Sequence, residues 1–254
     1  MPSSQKDLVR RFWDSEACGE RYGDDQFRIR YELEPEIAEF AEFPTALGKK
    51  VLEIGVGMGA DFTRWEAAGA DVIGIDLTER AIATARTRSR TRRGMLLVAD
   101  AESLPFRDND FDIVYSWGVL HHTPDTERAI TEAIRVLAPG GALKIMLYHR
   151  RSWVALAAWV RFCLFRGRPF ATLRQAVTNI ESPGTRAFTK EEVRGLLYSV
   201  DDVSVRSRLS VWDRKHTPLI PNLLGDRFGW FLLVEATKVQ SSASSTQPTM
   251  PQSR

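Results

Sequence analysis

The chain has 254 residues, 43% of them apolar and 27% charged, with a formal net charge of +2. That length allows a sizeable core in one large domain, or in one domain with an appendage. The composition is that of an ordinary globular protein, and so small a charge gives no electrostatic argument for a nucleic-acid partner. Cys18 and Cys163 lie too far apart to form a metal-ligand motif or a disulfide framework, so no metal site is expected and a reducing cytoplasm is the expected compartment. Met1 to Trp13 lacks a signal-peptide core and no apolar run reaches transmembrane length, which supports the same expectation.

Residues 1–46 read as a helical, amphipathic cap. Phe12, Trp13, Tyr22, Phe27, Tyr31, Ile37, Phe40 and Phe43 are spread among charges, and Pro44 closes the stretch. From 47 to 150 strands and helices alternate. The expected strands are Val51–Ile54, Val72–Ile75, Met95–Val98, Phe111–Tyr115 and Ala142–Leu147. The expected helices are Ala60 to about Ala68, Glu79 to about Arg88 with Thr78 as its cap, and about Asp125 to Leu137. Pro139-Gly140-Gly141 turns the last helix into the fifth strand. Residues 151–200 read as a helical insert. Within 201–238, Val203–Leu209 and Phe228–Ala236 read as two strands that complete the sheet as an antiparallel hairpin. Residues 239–254, rich in Ser, Thr, Gln and Pro, are expected to be disordered. The alternation predicts an α/β fold: a doubly wound, Rossmann-like sheet with a helical N-terminal cap and a lid insert.

The densest signal is Lys50-Val51-Leu52-Glu53-Ile54-Gly55-Val56-Gly57-Met58-Gly59-Ala60-Asp61. A short apolar strand enters a turn with glycines at alternate positions and leaves it as a helix. The second strand ends in Asp76, twenty-one residues after Gly55. This is the layout of a nucleoside-binding βαβ unit, in which glycines let the backbone approach the ligand and the carboxylate holds ribose hydroxyls. The turn lacks the G-x-G-x-x-G spacing that sets a helix N-terminus on a pyrophosphate. Glu53 would repel a diphosphate and suits a cationic ligand. A further acid, Asp100, ends the third strand.

Five stretches in order carry a resemblance: Val51–Gly59, Gly74-Ile75-Asp76-Leu77, Ala99–Phe106, Phe111–Ser116 and Arg135–Gly141. Over residues 49 to 147 the chain resembles the class I S-adenosylmethionine-dependent methyltransferases, especially the subgroup with the ubiquinone/menaquinone C-methyltransferases. The resemblance implies S-adenosyl-L-methionine as co-substrate and S-adenosyl-L-homocysteine as product. It assigns Glu53, Gly55, Val56, Gly57 and Gly59 to the methionine part, Asp76 to the ribose hydroxyls and Leu77 to the adenine ring. It assigns Asp100 and the Ala101 backbone to the adenine edge, and Ser116 and Trp117 to the pocket near the sulfonium. A sulfonium favours carboxylates, carbonyl oxygens and aromatic faces.

Methyl transfer from a sulfonium needs the acceptor held in line and close, and a base only when the nucleophile starts protonated. Among the histidines His121, His122, His149 and His216, three follow the ends of strands four and five, the ligand-binding edge of a parallel sheet. Adjacent histidines are expected to diverge, and His122, in His-His-x-Pro-Asp, is the candidate base. Tyr148 and His149 are second candidates. The competing reading is that these residues support loops and strand ends.

The flanks are less specific. Trp153–Phe165 is apolar with arginines around it, and reads as a buried lid helix, an interfacial membrane helix or a dimer contact. Glu181–Phe188 is a turn-rich segment, either a connector or a source of substrate contacts through Thr185 or Arg186; Thr189 and Glu192 form a capping box behind it. Arg86, Arg88, Arg90, Arg92 and Arg93 suit the C-terminal end of a helix dipole better than an RNA contact. Tyr22, Arg28, Arg30 and Tyr31 read as packing and salt bridging, with closure over the ligand as the alternative.

The expected protein is thus a cytoplasmic methyltransferase acting on a small organic acceptor of specialised metabolism, with oxygen favoured over nitrogen or carbon. A peptide carboxylate or a quinone-like lipid is the alternative acceptor. A non-catalytic S-adenosylmethionine-binding protein is the alternative from another class, and a dehydrogenase the third. A nucleic-acid substrate is disfavoured: there is no Asn/Asp-Pro-Pro-Tyr/Phe motif after strand four and no Pro-Cys nucleophile. An integral membrane position is not expected; a peripheral membrane contact stays open, and so does the oligomeric state.

Overall fold

The computed structural model describes residues 4–15, 25–89, 91, 94–178, 180–216 and 225–240. Cys18, Tyr22, Arg90, Arg92, Arg93 and the tail beyond residue 240, with the disorder expected of it, lie outside the described residues.

The strands are β1 (Lys50–Ile54), β2 (Asp71–Asp76), β3 (Met95–Val98), β4 (Phe111–Trp117), β5 (Leu137–Tyr148), β6 (Val200–Arg208) and β7 (Phe231–Lys238). They form one sheet in the order β3-β2-β1-β4-β5-β7-β6. The first five run parallel, and β7 runs antiparallel to both β5 and β6. This is the expected doubly wound sheet with its antiparallel C-terminal pair. The strand order reverses between β1 and β4, and a crevice opens at their carboxyl ends, the usual ligand position in such a sheet.

β1 is buried on both faces because each face meets a separate core. Val51, Phe62, Trp65 and Tyr115 pack on one side. Leu52, Ile54, Val114, Ile130 and Ala133 pack on the other. Helices α4 (Ala60–Ala67), α5 (Glu79–Arg88) and α6 (Thr126–Val136) follow β1, β2 and β4. In α6 the buried Ala129, Ile130, Ala133 and Ile134 recur at helical spacing. The Thr78 side chain accepts from Ala81 N, and Asp125 does the same for Arg128 N. Arg86 donates to Leu96 O, and Arg88 lies over the Phe27 ring, so both serve contacts within the chain.

β4 runs two residues past the expected Tyr115, to Trp117, and β6 starts at Val200 instead of Val203; two further boundary differences have physical reasons. β5 begins at Leu137, opposite Phe111, while Ala142 stands opposite Ile113. Residues 138–141 therefore leave the ladder as an excursion with Gly140 at φ 77°, and the Pro-Gly-Gly turn lies inside the strand. β7 begins at Phe231 because Gly225–Phe228 winds into a 3-10 turn.

Before the sheet lie α1 (Gln5–Ser15), α2 (Gln26–Leu33) and α3 (Glu36–Ala41). After β5 come α7 (Trp153–Phe162), α8 (Leu173–Val177) and α9 (Lys190–Leu196); α10 (Val211–His216) follows β6. The expected capping box at Thr189 and Glu192 is present.

One polar cluster fastens α2 to the sheet. Asp61, at the start of α4, is 3% exposed. Arg30 donates to both its oxygens at 3.3 and 2.9 Å, Tyr31 Oη at 2.7 Å and Tyr115 Oη at 2.9 Å. Burial pushes this carboxyl up, but Arg30 and the hydroxyls outweigh it and hold it below the usual carboxylate range. Removing one member of a buried ion pair strands its partner. Asp61→Ala should therefore cost about 3 kcal/mol in urea unfolding; a loss below about 1 kcal/mol would show that the cluster does not hold α2 in place.

Candidate active site

The crevice encloses a cavity of about 270 Å³. Its floor is the turn after β1 (Gly55 to Met58), with Glu53 and Ile54 beneath it. Its walls are Asp76 and Leu77 after β2, Ala99 to Glu102 after β3, Trp117 to Val119 at the end of β4, and Met146 and Tyr148 of β5. α1 and α2 roof it with Lys6, Val9, Trp13, Arg30 and Glu34, and α10 adds Val211 and Trp212.

Eleven of the fourteen residues expected at the site line this cavity: Glu53, Gly55, Val56, Gly57, Asp76, Leu77, Asp100, Ala101, Trp117, His122 and Tyr148. Gly59, Ser116 and His149 do not. Gly59 shapes the turn, donating its N–H to Val56 O and starting α4 at φ 84°. Ser116 corrects the reading that it borders the sulfonium. It lies inside β4, fully buried, and its hydroxyl donates to Ile54 O. Side chains alternate along a strand, so Trp117 faces the cavity and Ser116 the opposite side. His149 is corrected on the same ground. Tyr148 points into the cavity, while His149 Nδ1 donates to Gly229 O behind the wall. Burial lowers its pKa to about 4.

The turn needs its first glycine. Gly55 has φ 83°, and a Cβ there would meet Val119 Cγ2 at 2.2 Å. The second strand's carboxylate stiffens this turn: Asp76 Oδ2 accepts from Gly57 N at 3.0 Å, and Oδ1 accepts from Thr78 N and Oγ1. Asp100 Oδ1 accepts from Glu102 N, and its Oδ2 accepts from Lys6 Nζ, which also reaches Glu102 Oε2 at 2.6 Å.

Glu53 is the test of whether the expected cofactor fits. It is 3% exposed, and its Oε2 has no hydrogen-bond partner among the described residues. Burial, with Asp61 next, pushes its carboxyl well above the usual range. A buried acceptor without a donor is costly. A ligand bearing an ammonium group answers that cost, and the amino-acid end of the expected cofactor bears one. The residues present fit the group.

His122 stands across the cavity. Its Nδ1 lies 2.8 Å from Ser182 Oγ and 3.1 Å from Thr185 Oγ1. The Thr185 hydroxyl donates to Ser182 O at 2.8 Å. A proton on Nδ1 therefore completes a directional chain through Ser182 and Thr185, and leaves the Nε2 lone pair free. Nε2 has no hydrogen-bond partner among the described residues and lies 3.7 Å from Glu181 Oε2. Tyr148 Oη donates to that same Glu181 oxygen at 2.5 Å. The two adjacent imidazoles do not diverge as expected: their centroids are 4.2 Å apart, with His121 buried behind His122. Trp13 meets His122 edge-on at 5.2 Å.

The insert after β5 reaches the cavity through Glu181 alone among its described residues. α7 packs on α8 and α10 instead. Arg30 and Tyr31 are salt-bridged and packed, as preferred, with Arg30 also at the cavity wall; Arg28 pairs at the surface with Glu32 and Asp25. Glu34, Glu181 and Ser182 were missed as site residues. Glu34 accepts from Trp117 Nε1 at 2.9 Å. The available hint was the Ser182–Thr185 spacing inside a segment already marked as turn-rich.

Burial lowers the pKa of His122 to about 3. Between about pH 3 and 6.5 the unfolded chain takes up a proton that the folded His122 refuses, so stability falls as pH falls through that window. From pH 6.5 to 5 the loss from this residue should be roughly 2 kcal/mol. Urea unfolding of the wild type and His122→Asn across that range measures it; equal pH slopes in the two would refute a buried neutral imidazole.

Residues 52–145 match a family described as a methyltransferase domain. Among curated relatives, the ubiquinone biosynthesis O-methyltransferase of Hahella chejuensis is 32% identical over 156 residues, covering 57% of this chain and 59% of that protein. The 27-O-demethylrifamycin SV methyltransferase of Amycolatopsis mediterranei is 32% identical over 146 residues, covering 55% and 53%. The match thus spans a little over half the length of these relatives. Among solved structures, the phosphoethanolamine N-methyltransferase 2 of Haemonchus contortus, in complex with S-adenosyl-L-methionine, superposes with a TM-score of 0.63. It is 18% identical, with 91% of this chain and 60% of that one covered, which is a likeness of fold.

Proposed function

We propose, from the premise that residues 52–145 form a domain of the class I S-adenosylmethionine-dependent methyltransferase family, that this chain methylates an oxygen of a small organic acceptor. The observation that carries the reading is the unpartnered Glu53 Oε2 on the same sheet edge as Asp76 and Asp100. When bound, the cofactor supplies an electrophilic methyl group on a sulfonium. Glu53 and the Gly55–Gly59 turn would hold its amino-acid end, Asp76 its ribose, and Asp100 with Ala101 its adenine edge.

The acceptor chamber is walled by Trp117, Met146, Tyr148, Trp212 and Phe231. Such a surface suits an apolar or aromatic compound and excludes water from the transfer. A hydroxyl acceptor must lose its proton, and His122 Nε2 is placed to take it once the Glu181 carboxylate, 3.7 Å away, offsets the burial that keeps the imidazole neutral. The Ser182–Thr185 turn fixes the tautomer, and Glu181 stabilises the imidazolium as it forms. Of the two matched relatives described above, one is named for ubiquinone biosynthesis and the other for 27-O-demethylrifamycin SV. That supports a small-molecule acceptor, with a quinone-like lipid as the second choice.

His122→Ala should lower turnover by at least about 100-fold across an acceptor panel of phenols and other hydroxyl compounds. Cofactor affinity, measured separately by calorimetry, should change by less than about threefold, a difference under 1 kcal/mol. Wild-type turnover in the variant would remove His122 from the chemistry. Retention of S-adenosylmethionine by the wild type, with no S-adenosylhomocysteine formed, would make the chain a binder.

The raised Glu53 carboxyl gives a second test, independent of the acceptor. Below the ordinary α-amino pKa, pairing with an ammonium group should ionise Glu53 and release a proton. Calorimetric titration with the cofactor at about pH 6.5, in buffers of different ionisation enthalpy, should show net release of up to one proton. Glu53→Gln should abolish the release and weaken binding. Identical heats in all buffers for the wild type would place the ammonium group elsewhere.

A further inference from the structure

From Arg150 to Ile180 the chain carries six arginines and no Asp or Glu. Arg150 and Arg151 are spent on Glu192 and Glu191. Arg161, Arg166 and Arg168 make no ion pair among the described residues, and all three are exposed. Between them lies an unusual display of apolar side chains. Phe165 is 80% exposed and Phe170 98%, with Phe162 and Leu164 also open to solvent.

The segment has a defined shape. Arg168 N donates to Cys163 O, Gly167 N to Leu164 O, and Trp159 Nε1 to Ala171 O. Gly167 takes φ 71° to close the turn. Arg161 and Arg166 both lie over the Phe162 ring, at 5.5 and 5.7 Å. The result is a fixed knuckle of phenylalanines ringed by unpaired arginines.

We propose that this knuckle docks the protein peripherally on an anionic lipid surface, with Phe165 and Phe170 entering the headgroup region. Aromatic side chains beside arginines suit that boundary, where the ring loses water and the guanidinium keeps its phosphate. Charge decides against a second copy of the chain. A two-fold contact through this patch would bring its own arginines face to face with no carboxylate between them. Spanning is ruled out by length: α7 has ten residues, and no described helix is long and apolar enough to cross a membrane. The knuckle follows α7, and α7 packs on α10, whose Val211 and Trp212 line the cavity. A lipid surface at the knuckle would therefore lie one helix from the site, whichever reaction occurs there.

The test is flotation of the full chain with vesicles of phosphatidylcholine alone or with about a third phosphatidylglycerol. The wild type should float with the anionic vesicles only, and less at about 0.5 M salt than at 0.05 M. Arg166→Gln/Arg168→Gln should weaken binding roughly 25-fold, at about fivefold per arginine. Phe165→Ser/Phe170→Ser should lower it at least tenfold with unchanged thermal stability, since both rings are exposed. A wild type that stays at the bottom with anionic vesicles overturns the proposal, as does a phenylalanine variant that floats normally. A dimer in light scattering that disappears in that variant overturns it too, by giving the face to a second copy.

Discussion

The ion pair between Asp61 and Arg30 sets the conditions for the whole site. An isolated carboxylate at 3% exposure would not stay ionised; this one does because a guanidinium and a phenol from α2 and a second phenol from β4 converge on it. The geometric consequence is that α2 is fixed over the crevice and supplies Arg30 and Glu34 to its roof. The electrostatic consequence falls on Glu53. Burial already disfavours a charge on Glu53, the ionised Asp61 nearby disfavours it further, and the carboxyl is held well above the usual carboxylate range. Two acids within one small volume are thereby split into an ionised, saturated one and an unsatisfied one. Only the second has anything left to offer a ligand.

Local chemistry and long-range placement were legible to different degrees. The turn after β1 could be read because a positive φ at Gly55 and a strand-end acid are requirements of the backbone itself, expressed within a few residues. The caps at Thr78 and Thr189 were readable for the same reason. Ser116 and His149 face away from the cavity because β4 and β5 run on to Trp117 and Tyr148, so strand alternation extends to residues expected beyond the strand ends. His122 was named from its position after β4. What orients it, Ser182 and Thr185, arrives from sixty residues further along the chain, and no spacing rule connects them.

The insert shows the same limit in another form. An apolar run after β5 suggested a helix over the pocket mouth, yet in the structure its residues pack against α8 and α10. The cavity's cover comes instead from α1, α2 and α10, whose sequences look less apolar than α7. Burial in a two-sided crevice requires only a few well-placed side chains, such as Val9, Trp13 and Trp212. Hydrophobicity along a segment reports how much surface must be hidden, and leaves open what hides it.

The two roof helices are held by interactions of different strength, and this bears on how a nucleoside could enter. α2 is pinned by the buried Asp61 cluster, where loss of one partner is expensive. α1 is tied across the crevice by Lys6, 33% exposed, to Asp100 and Glu102, 29% and 9% exposed, and is seated by the buried Val9 and by Arg80, which donates to Asp14 O and Ser15 O. Partly exposed pairs of this kind contribute at most about 1 kcal/mol. In the proposed reading Asp100 is also the acid on the adenine side, so a base edge arriving there would compete with Lys6 for its carboxylate, while no described side chain donates to Glu53 Oε2. The amino-acid end of a ligand therefore meets a site prepared for it, and the base end meets one that exchanges a lysine for the ligand.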